Sequence, residues 1–207
     1  MPSNGKESVA QSEIKRLTPI VLDYKAAQAD GDDRFLRHLR KQMRESILGQ
    51  GVKNQVIKRS VYIVRLRGSF LIAYQKNFSP VLYIGRGDAP KRLASHLKSW
   101  LLHVHKFGSD TTVEVQIILP LRQGRKDFYK YVEGRLLQQH ALNNGCIPLF
   151  NARREIKYGK DIDYNQTHEK LFRKLIKIGS GNRPWWAIQP TPANPFTTLY
   201  HKGTNAN

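Results

Sequence analysis

Cysteine is nearly absent: Cys146 stands alone in 207 residues. An intrachain disulfide is therefore impossible, and a zinc site built on cysteines is excluded in practice. Long apolar runs are also missing, since no stretch approaches the ~18 residues a membrane span requires. The opening MPSNGKESVAQSEIKRL contains no apolar segment of the kind a secretory leader carries. These absences predict a protein of the cytoplasm with no membrane partner. Acidic residues are scarce as well, with 16 Asp and Glu against 35 Lys and Arg, for a formal charge of +19. An excess of this size points to a polyanion, nucleic acid first, and leaves an anionic lipid surface or a ribosomal role as the other readings. The basic residues are spread along the chain, which fits a folded basic surface better than a disordered arm. Hydrophobic residues make up 40% of the chain, enough for a core without staples.

Periodicity divides the chain into three parts. Residues 1–57 read as an N-terminal helical extension. Its first eleven residues are polar. Ile14, Leu17, Val21 and Tyr24 then recur at helical spacing, with Pro19 as a kink. After the turn at Ala29-Asp30-Gly31-Asp32, Asp32 or Asp33 is placed to cap a second helix. That helix has Phe35, Leu36, Leu39, Met43 and Ile47 on one face and basic residues on the other, ending near Gly49. From residue 58 to 155 the period changes. Ser60–Leu66, Phe70–Tyr74 and Pro80–Gly85 read as strands, as does Thr111–Leu119, with Pro120 as its stop. Asp88 and Pro90 open a helix whose buried stripe is Leu93, Leu97, Trp100, Leu101 and Val104. A further helix runs from Lys126 to about Asn143 and ends at Asn143-Asn144-Gly145. Residues 156–207 hold one more amphipathic helix, Tyr164–Ile178, and a tail rich in Pro, Gly, Asn and Thr. There Trp185-Trp186 either pack the tail onto the domain or stack on bases. No internal repeat is present, and the class is α+β.

Taken singly, the candidate chemical residues are ordinary. Arg92 and His96 are four apart and share a helix face, as many solvated pairs do. Glu133 lies beside the apolar Val132, Leu136 and Leu137. Asn151 follows Pro148-Leu149-Phe150. Their order is informative. Val61-Tyr62-Ile63 lies on one strand, and Tyr83-Ile84-Gly85 ends a later one. Lys91-Arg92-Leu93-Ala94-Ser95-His96 opens a helix, Glu133-Gly134-Arg135-Leu136-Leu137 lies on the next, and Pro148-Leu149-Phe150-Asn151 closes the series. This succession resembles the GIY-YIG nuclease family over roughly residues 58–155. Ser60 stands where the family has glycine, and twenty residues separate Tyr62 from Tyr83, about twice the family's usual spacing. The extra length implies an enlarged connection between the two half-motif strands, as in members that act as type II restriction endonucleases. The loop from Gly85 to Arg92 is about a residue short. Tyr74 is a rival for the first tyrosine, and its shorter spacing favours Tyr62.

The resemblance implies a small antiparallel three-stranded sheet flanked by helices. It also implies a catalytic set of Tyr62, Tyr83, Arg92, His96, Glu133 and Asn151. Glu133 would be the protein ligand of one Mg²⁺ or Mn²⁺, Arg92 would hold a non-bridging phosphate oxygen, and Tyr62 would take or relay the proton of the attacking water. The implied activity is metal-dependent hydrolysis of double-stranded DNA, site-specific in the restriction manner, leaving 5′-phosphate ends. A homodimer or homotetramer would serve a double-strand cut. A phage or mobile-element nuclease of the same family is the near alternative. A decayed scaffold that binds nucleic acid without cutting it is the alternative of another class.

Overall fold

The computed structural model describes residues 12–29, 32–67, 71–107, 112–152 and 164–176. The expectations for residues 1–11, for the capping side chains of Asp32 and Asp33, and for Trp185-Trp186 and the tail lie outside that set. So does the boundary between residues 155 and 156.

The class is α+β, and the sheet is larger than expected. Strands β1 (Ser12–Arg16), β2 (Ile20–Leu22), β3 (Ser60–Arg67), β6 (Val81–Gly87) and β7 (Thr112–Arg122) form one five-stranded antiparallel sheet in place of the three-stranded one. β7 lies at its heart, with β3 along one edge and β1 and β2 along the other, and β6 is the outer neighbour of β3. The expectation of an N-terminal helical extension is corrected for residues 12–22, while its second helix is present over Asp32–Leu48. Residues 12–22 are two strand pieces that complete β7's second edge, in the registers Ser12↔Arg122 and Ile20↔Val115. Ile14, Leu17 and Val21 fit a helical period, but Pro19 divides the segment and Ile20 and Leu22 alternate inward. Pairing with an otherwise open strand edge then outweighs local preference. Pro120 does not stop β7, which continues to Arg122. It pairs with Ile14 on one side, and on the other side the ladder with β3 has already ended at Val61↔Ile118. A residue lacking an N–H is tolerated where a ladder is one-sided.

Helices cover both faces. Alternation along β3 sends Tyr62, Val64 and Leu66 to a layer with α2 (Asp32–Leu48) and α4 (Ala89–Leu97), where Leu39, Met43, Leu93 and Leu97 are buried. Val61 and Ile63 point the other way, with Ile84 and Ile118. There they meet Phe128, Val132, Leu136 and Phe172 of α5 (Phe128–Asn144) and α6 (Gln166–Ile176). Short helices α1 (Tyr24–Ala29) and α3 (Asn54–Ile57) link the N-terminal elements. The helix expected to run from Asp88 through Val104 ends at Leu97, and a 3₁₀ segment, Trp100–Phe107, carries the chain onward with Leu101 and Val104 still buried. The second expected strand shrinks to β4 (Ile72–Ala73), which pairs with β5 (Phe78–Ser79). This two-strand ladder accounts for the long connection between β3 and β6. α5 ends as read from Asn143-Asn144-Gly145: Gly145 takes φ +87°, and its N–H donates to Ala141 O at 2.9 Å. Cys146 is simply buried.

One core histidine sets an acid limit on this fold. His140 is fully buried, its Nδ1 donates to Cys146 O at 2.9 Å, and its Nε2 has no hydrogen-bond partner among the described residues. Burial lowers its pKa to about 4. The unfolded chain binds this proton near pH 6.5 and the folded one does not, so folding is weakened as pH falls below 6.5. Integrated down to pH 4, His140 alone accounts for a loss on the order of 3 kcal/mol. Urea unfolding followed from pH 7.5 to 4.5 should show a midpoint that falls below about pH 6.5, and His140→Phe should make that fall shallower, leaving the share of His96, whose pKa is also lowered to about 4.

Candidate active site

Tyr62 and Tyr83 come together because one glycine lacks a side chain. β3 and β6 are antiparallel neighbours in which Tyr62 pairs with Gly85 and Val64 with Tyr83. A Cβ on Gly85 would lie 2.5 Å from Tyr83 Cε1, 2.6 Å from Tyr62 Oη and 2.7 Å from Tyr62 Cζ. The rings occupy that space, with centroids 5.9 Å apart and planes inclined by 29°. Gly85 is thus required for its volume; its backbone is not in the left-handed region. Tyr62 is wholly buried and Tyr83 half-buried. Burial first, and then neighbouring Tyr83, pushes the Tyr62 phenol well above its ordinary range, while Arg92 pulls the other way. The rival Tyr74 is committed elsewhere: its hydroxyl donates to Val81 O at 2.6 Å and accepts from Leu149 N at 2.9 Å. Ser60, just before Val61-Tyr62-Ile63, donates its hydroxyl to Gly87 O at 2.8 Å and ties the start of β3 to the end of β6.

α4 brings the next pair. Asp88 caps it by accepting from Lys91 N at 3.2 Å, and Pro90 lies in its first turn. Arg92 is exposed, and its interaction with the Tyr62 phenol, and after it with Tyr83, raises its pKa above the ordinary value. His96 Nε2 is 3.1 Å from Tyr62 Oη, and its ring meets Tyr83 edge-on at 4.6 Å. Burial, with the Arg92 cation as the second cause, lowers the His96 pKa to about 4. The ring is therefore neutral near pH 7. Trp100, one turn on, donates its indole N–H to His96 Nδ1 at 3.2 Å and stacks on Phe150 at 4.2 Å.

The remaining pair reaches the cavity around the outer edge of β6. Glu133 faces the sheet from α5, with only 6% of its surface exposed, and its Oε2 accepts from Arg86 Nη1 at 2.5 Å. Asn151 is buried against the free side of β6. Its Oδ1 accepts from Ile84 N at 3.0 Å and its Nδ2 donates to Ile84 O at 2.7 Å. The side-chain amide thereby stands in for the missing neighbouring strand at the residue between Tyr83 and Gly85. Phe150 N adds a bond to Leu82 O at 3.0 Å.

An open cleft of about 820 Å³ joins these parts, lined by Tyr83, Arg86, Arg92, His96, Trp100, Glu133 and Asn151 among others. Tyr62 lies just behind its wall. All six residues singled out in the sequence thus converge on one region. Arg86 and Trp100 were missed as site residues, although Arg86 follows the Tyr83-Ile84-Gly85 motif directly and Trp100 is four residues beyond His96. Among the described residues, no group of three or more His, Cys, Asp or Glu could ligate a metal. A buried carboxylate facing an open cleft does suit a hard cation that keeps most of its waters, because such ions commonly take one protein carboxylate plus a substrate phosphate. No protein-family model, curated protein or solved structure matches the chain.

Replacing Gly85 with alanine should force the two tyrosine rings apart. The expected loss of stability is about 1–3 kcal/mol, read from urea denaturation. Near-ultraviolet circular dichroism should change in the tyrosine region even where the protein remains folded. An unchanged spectrum would mean that the rings do not share this space.

Proposed function

We propose that the protein is a divalent-metal-dependent endonuclease that hydrolyses DNA phosphodiester bonds, site-specific in the restriction manner and leaving 5′-phosphate and 3′-hydroxyl ends. The observation that supports this most is the meeting, in one cleft, of an arginine fork, a tyrosine–histidine network and a buried carboxylate drawn from four separate elements. Its sequence order resembles that of the GIY-YIG nucleases. The +19 charge supplies the affinity for double-stranded DNA. Two such chains, in a dimer or tetramer, would serve the two strands.

Within this reading Arg92 holds a non-bridging oxygen of the scissile phosphate, where charge grows during attack by water. Its exposure in the cleft lining and its electrostatic interaction with both tyrosines suit that part. Tyr83 orders the water from the cleft wall. Tyr62 receives the water's proton, which requires its phenolate. The Arg92 cation and His96, whose Nε2 is 3.1 Å from the Tyr62 oxygen, favour that form against burial. Asn151 holds the strand that carries Tyr83. Glu133 would hold the Mg²⁺ or Mn²⁺ once Arg86 is displaced, and the bound ion supplies Lewis-acid stabilisation of the phosphate and leaving oxygen. The same Arg86–Glu133 pair favours a second reading, a nucleic-acid-binding protein without catalysis, because it already neutralises the carboxylate.

Purified protein and its Glu133→Ala variant, incubated with plasmid and unmethylated phage DNA, distinguish these readings. The wild type should give discrete fragments with Mg²⁺ and none with chelator. The variant should lose cutting by more than about 10³-fold yet keep salt-sensitive binding. Salt-sensitive binding with no cutting by the wild type would favour the second reading. A further expectation concerns pH. Because burial keeps Tyr62 protonated at neutral pH, its phenolate fraction rises about tenfold per pH unit. The single-turnover rate should climb from pH 6 to 9 without a plateau, and a flat profile would remove Tyr62 as base.

A further inference from the structure

His96 is held at both ring nitrogens, and one of its partners has no choice of role. An indole nitrogen donates and never accepts. Trp100 Nε1 lies 3.2 Å from His96 Nδ1, so Nδ1 must present its lone pair. A neutral imidazole with a bare Nδ1 carries its proton on Nε2, and that nitrogen is 3.1 Å from Tyr62 Oη. The bond therefore runs from histidine to tyrosine. A second proton on Nδ1 would set two N–H donors against each other. Relief would require Trp100 to leave Phe150, on which it is stacked at 4.2 Å with planes 16° apart. The other groups facing the ring agree with a neutral state: Tyr62 from β3, Tyr83 from β6, and Arg92, a cation on the same helix.

We propose that Trp100 is a positioning residue, whose indole N–H, clamped by Phe150, fixes His96 as its Nε2–H tautomer, so that His96 donates a hydrogen bond to the Tyr62 oxygen and does not accept that tyrosine's proton. The catalytic consequence rests on the nuclease reading. His96 then anchors the phenolate of Tyr62 alongside Arg92, and the proton that leaves Tyr62 departs through the cleft to solvent. The placement of the proton on His96 rests on geometry alone.

The test reads the imidazole directly. Long-range ¹H–¹⁵N correlation spectra of the full chain, labelled at histidine, are recorded between pH 4 and 8, with His96→Gln assigning the signal. The wild type should show a single Nε2–H tautomer. Trp100→Phe keeps an aromatic ring between His96 and Phe150 but removes the donor. Its His96 signal should become a mixture of tautomers, with its titration moved upward toward the ordinary histidine range. Semisynthetic replacement of Trp100 by benzothienylalanine, which exchanges the N–H for sulfur in the same shape, should do likewise and covers the case in which Trp100→Phe does not fold. In single-turnover cleavage the loss should be about tenfold, the scale of one hydrogen bond, with DNA affinity unchanged. An Nδ1–H tautomer in the wild type, or variants whose His96 keeps the wild-type tautomer and titration, overturns the proposal. A wild type that shows the expected tautomer but cuts no DNA counts against the nuclease reading and leaves the positioning role standing.

Discussion

Two tyrosine rings share the volume that a side chain on Gly85 would need, and the site is arranged around that sharing. The strand register puts Tyr62 opposite Gly85, and the stacking places Tyr83 beside it. Tyr62 Oη is thereby fixed at the depth His96 can reach from α4. His96 in turn meets Trp100, Trp100 meets Phe150, and Phe150 returns to β6 through its bond to Leu82 O. The contacts form a closed ring that begins and ends on the same strand. A shift at any member is felt by the tyrosine oxygen, since packed aromatic rings tolerate little displacement.

That strand is at the edge of its sheet, which explains the rest of the plan. An edge leaves backbone groups unpaired and invites foreign strands. Here residues 150 and 151 cover it, and the Asn151 amide satisfies both backbone groups of Ile84. An edge also gives access to both faces of the sheet. The tyrosine–histidine network belongs to the face covered by α4, and Glu133 comes from α5 on the other. Only at the margin of β6 can the two meet in one cleft. A central strand such as β7, covered on both faces and paired on both sides, offers no such approach.

Local features were legible in the sequence wherever a short stretch carries its own cause. β3 and β6 are marked by β-branched and aromatic residues, the start of α4 by Asp88 and Pro90, and the end of α5 by Gly145. The six site residues were legible through their order, not through any one of them. Relations set at long range were not. Ile14, Leu17 and Val21 match a helical period, and only the open edge of β7, about a hundred residues on, makes strands of them. Pro120 reads as a stop because its one-sided ladder is invisible locally. Trp100 reads as core because its spacing suits a buried stripe, whereas the helix ends at Leu97 and turns the indole toward His96. Arg86 could be seen beside the motif, but its partner Glu133 lies 47 residues away on another layer.

The electrostatics of the cleft follow from these placements. A carboxylate as buried as Glu133 must be paired or lose its charge, and Arg86 provides the pairing. Tyr62, equally buried, stays a neutral phenol because its burial outweighs the pull of the Arg92 cation. The two sites of negative charge that the proposed reaction needs are therefore held in opposite conditions, one formed and masked, the other unformed. Displacing Arg86 from Glu133 unmasks the first. In the proposed reaction a divalent ion held by Glu133 would add to the Arg92 cation the positive charge that makes the second less costly. In the proposed reading DNA binding would need none of this, because affinity would reside in the +19 charge, with about one unit of salt dependence for each phosphate that a lysine or arginine neutralises. In the proposed reading affinity and cutting would therefore depend on separate parts of the molecule, the first on many exposed cations and the second on the residues gathered at the cleft.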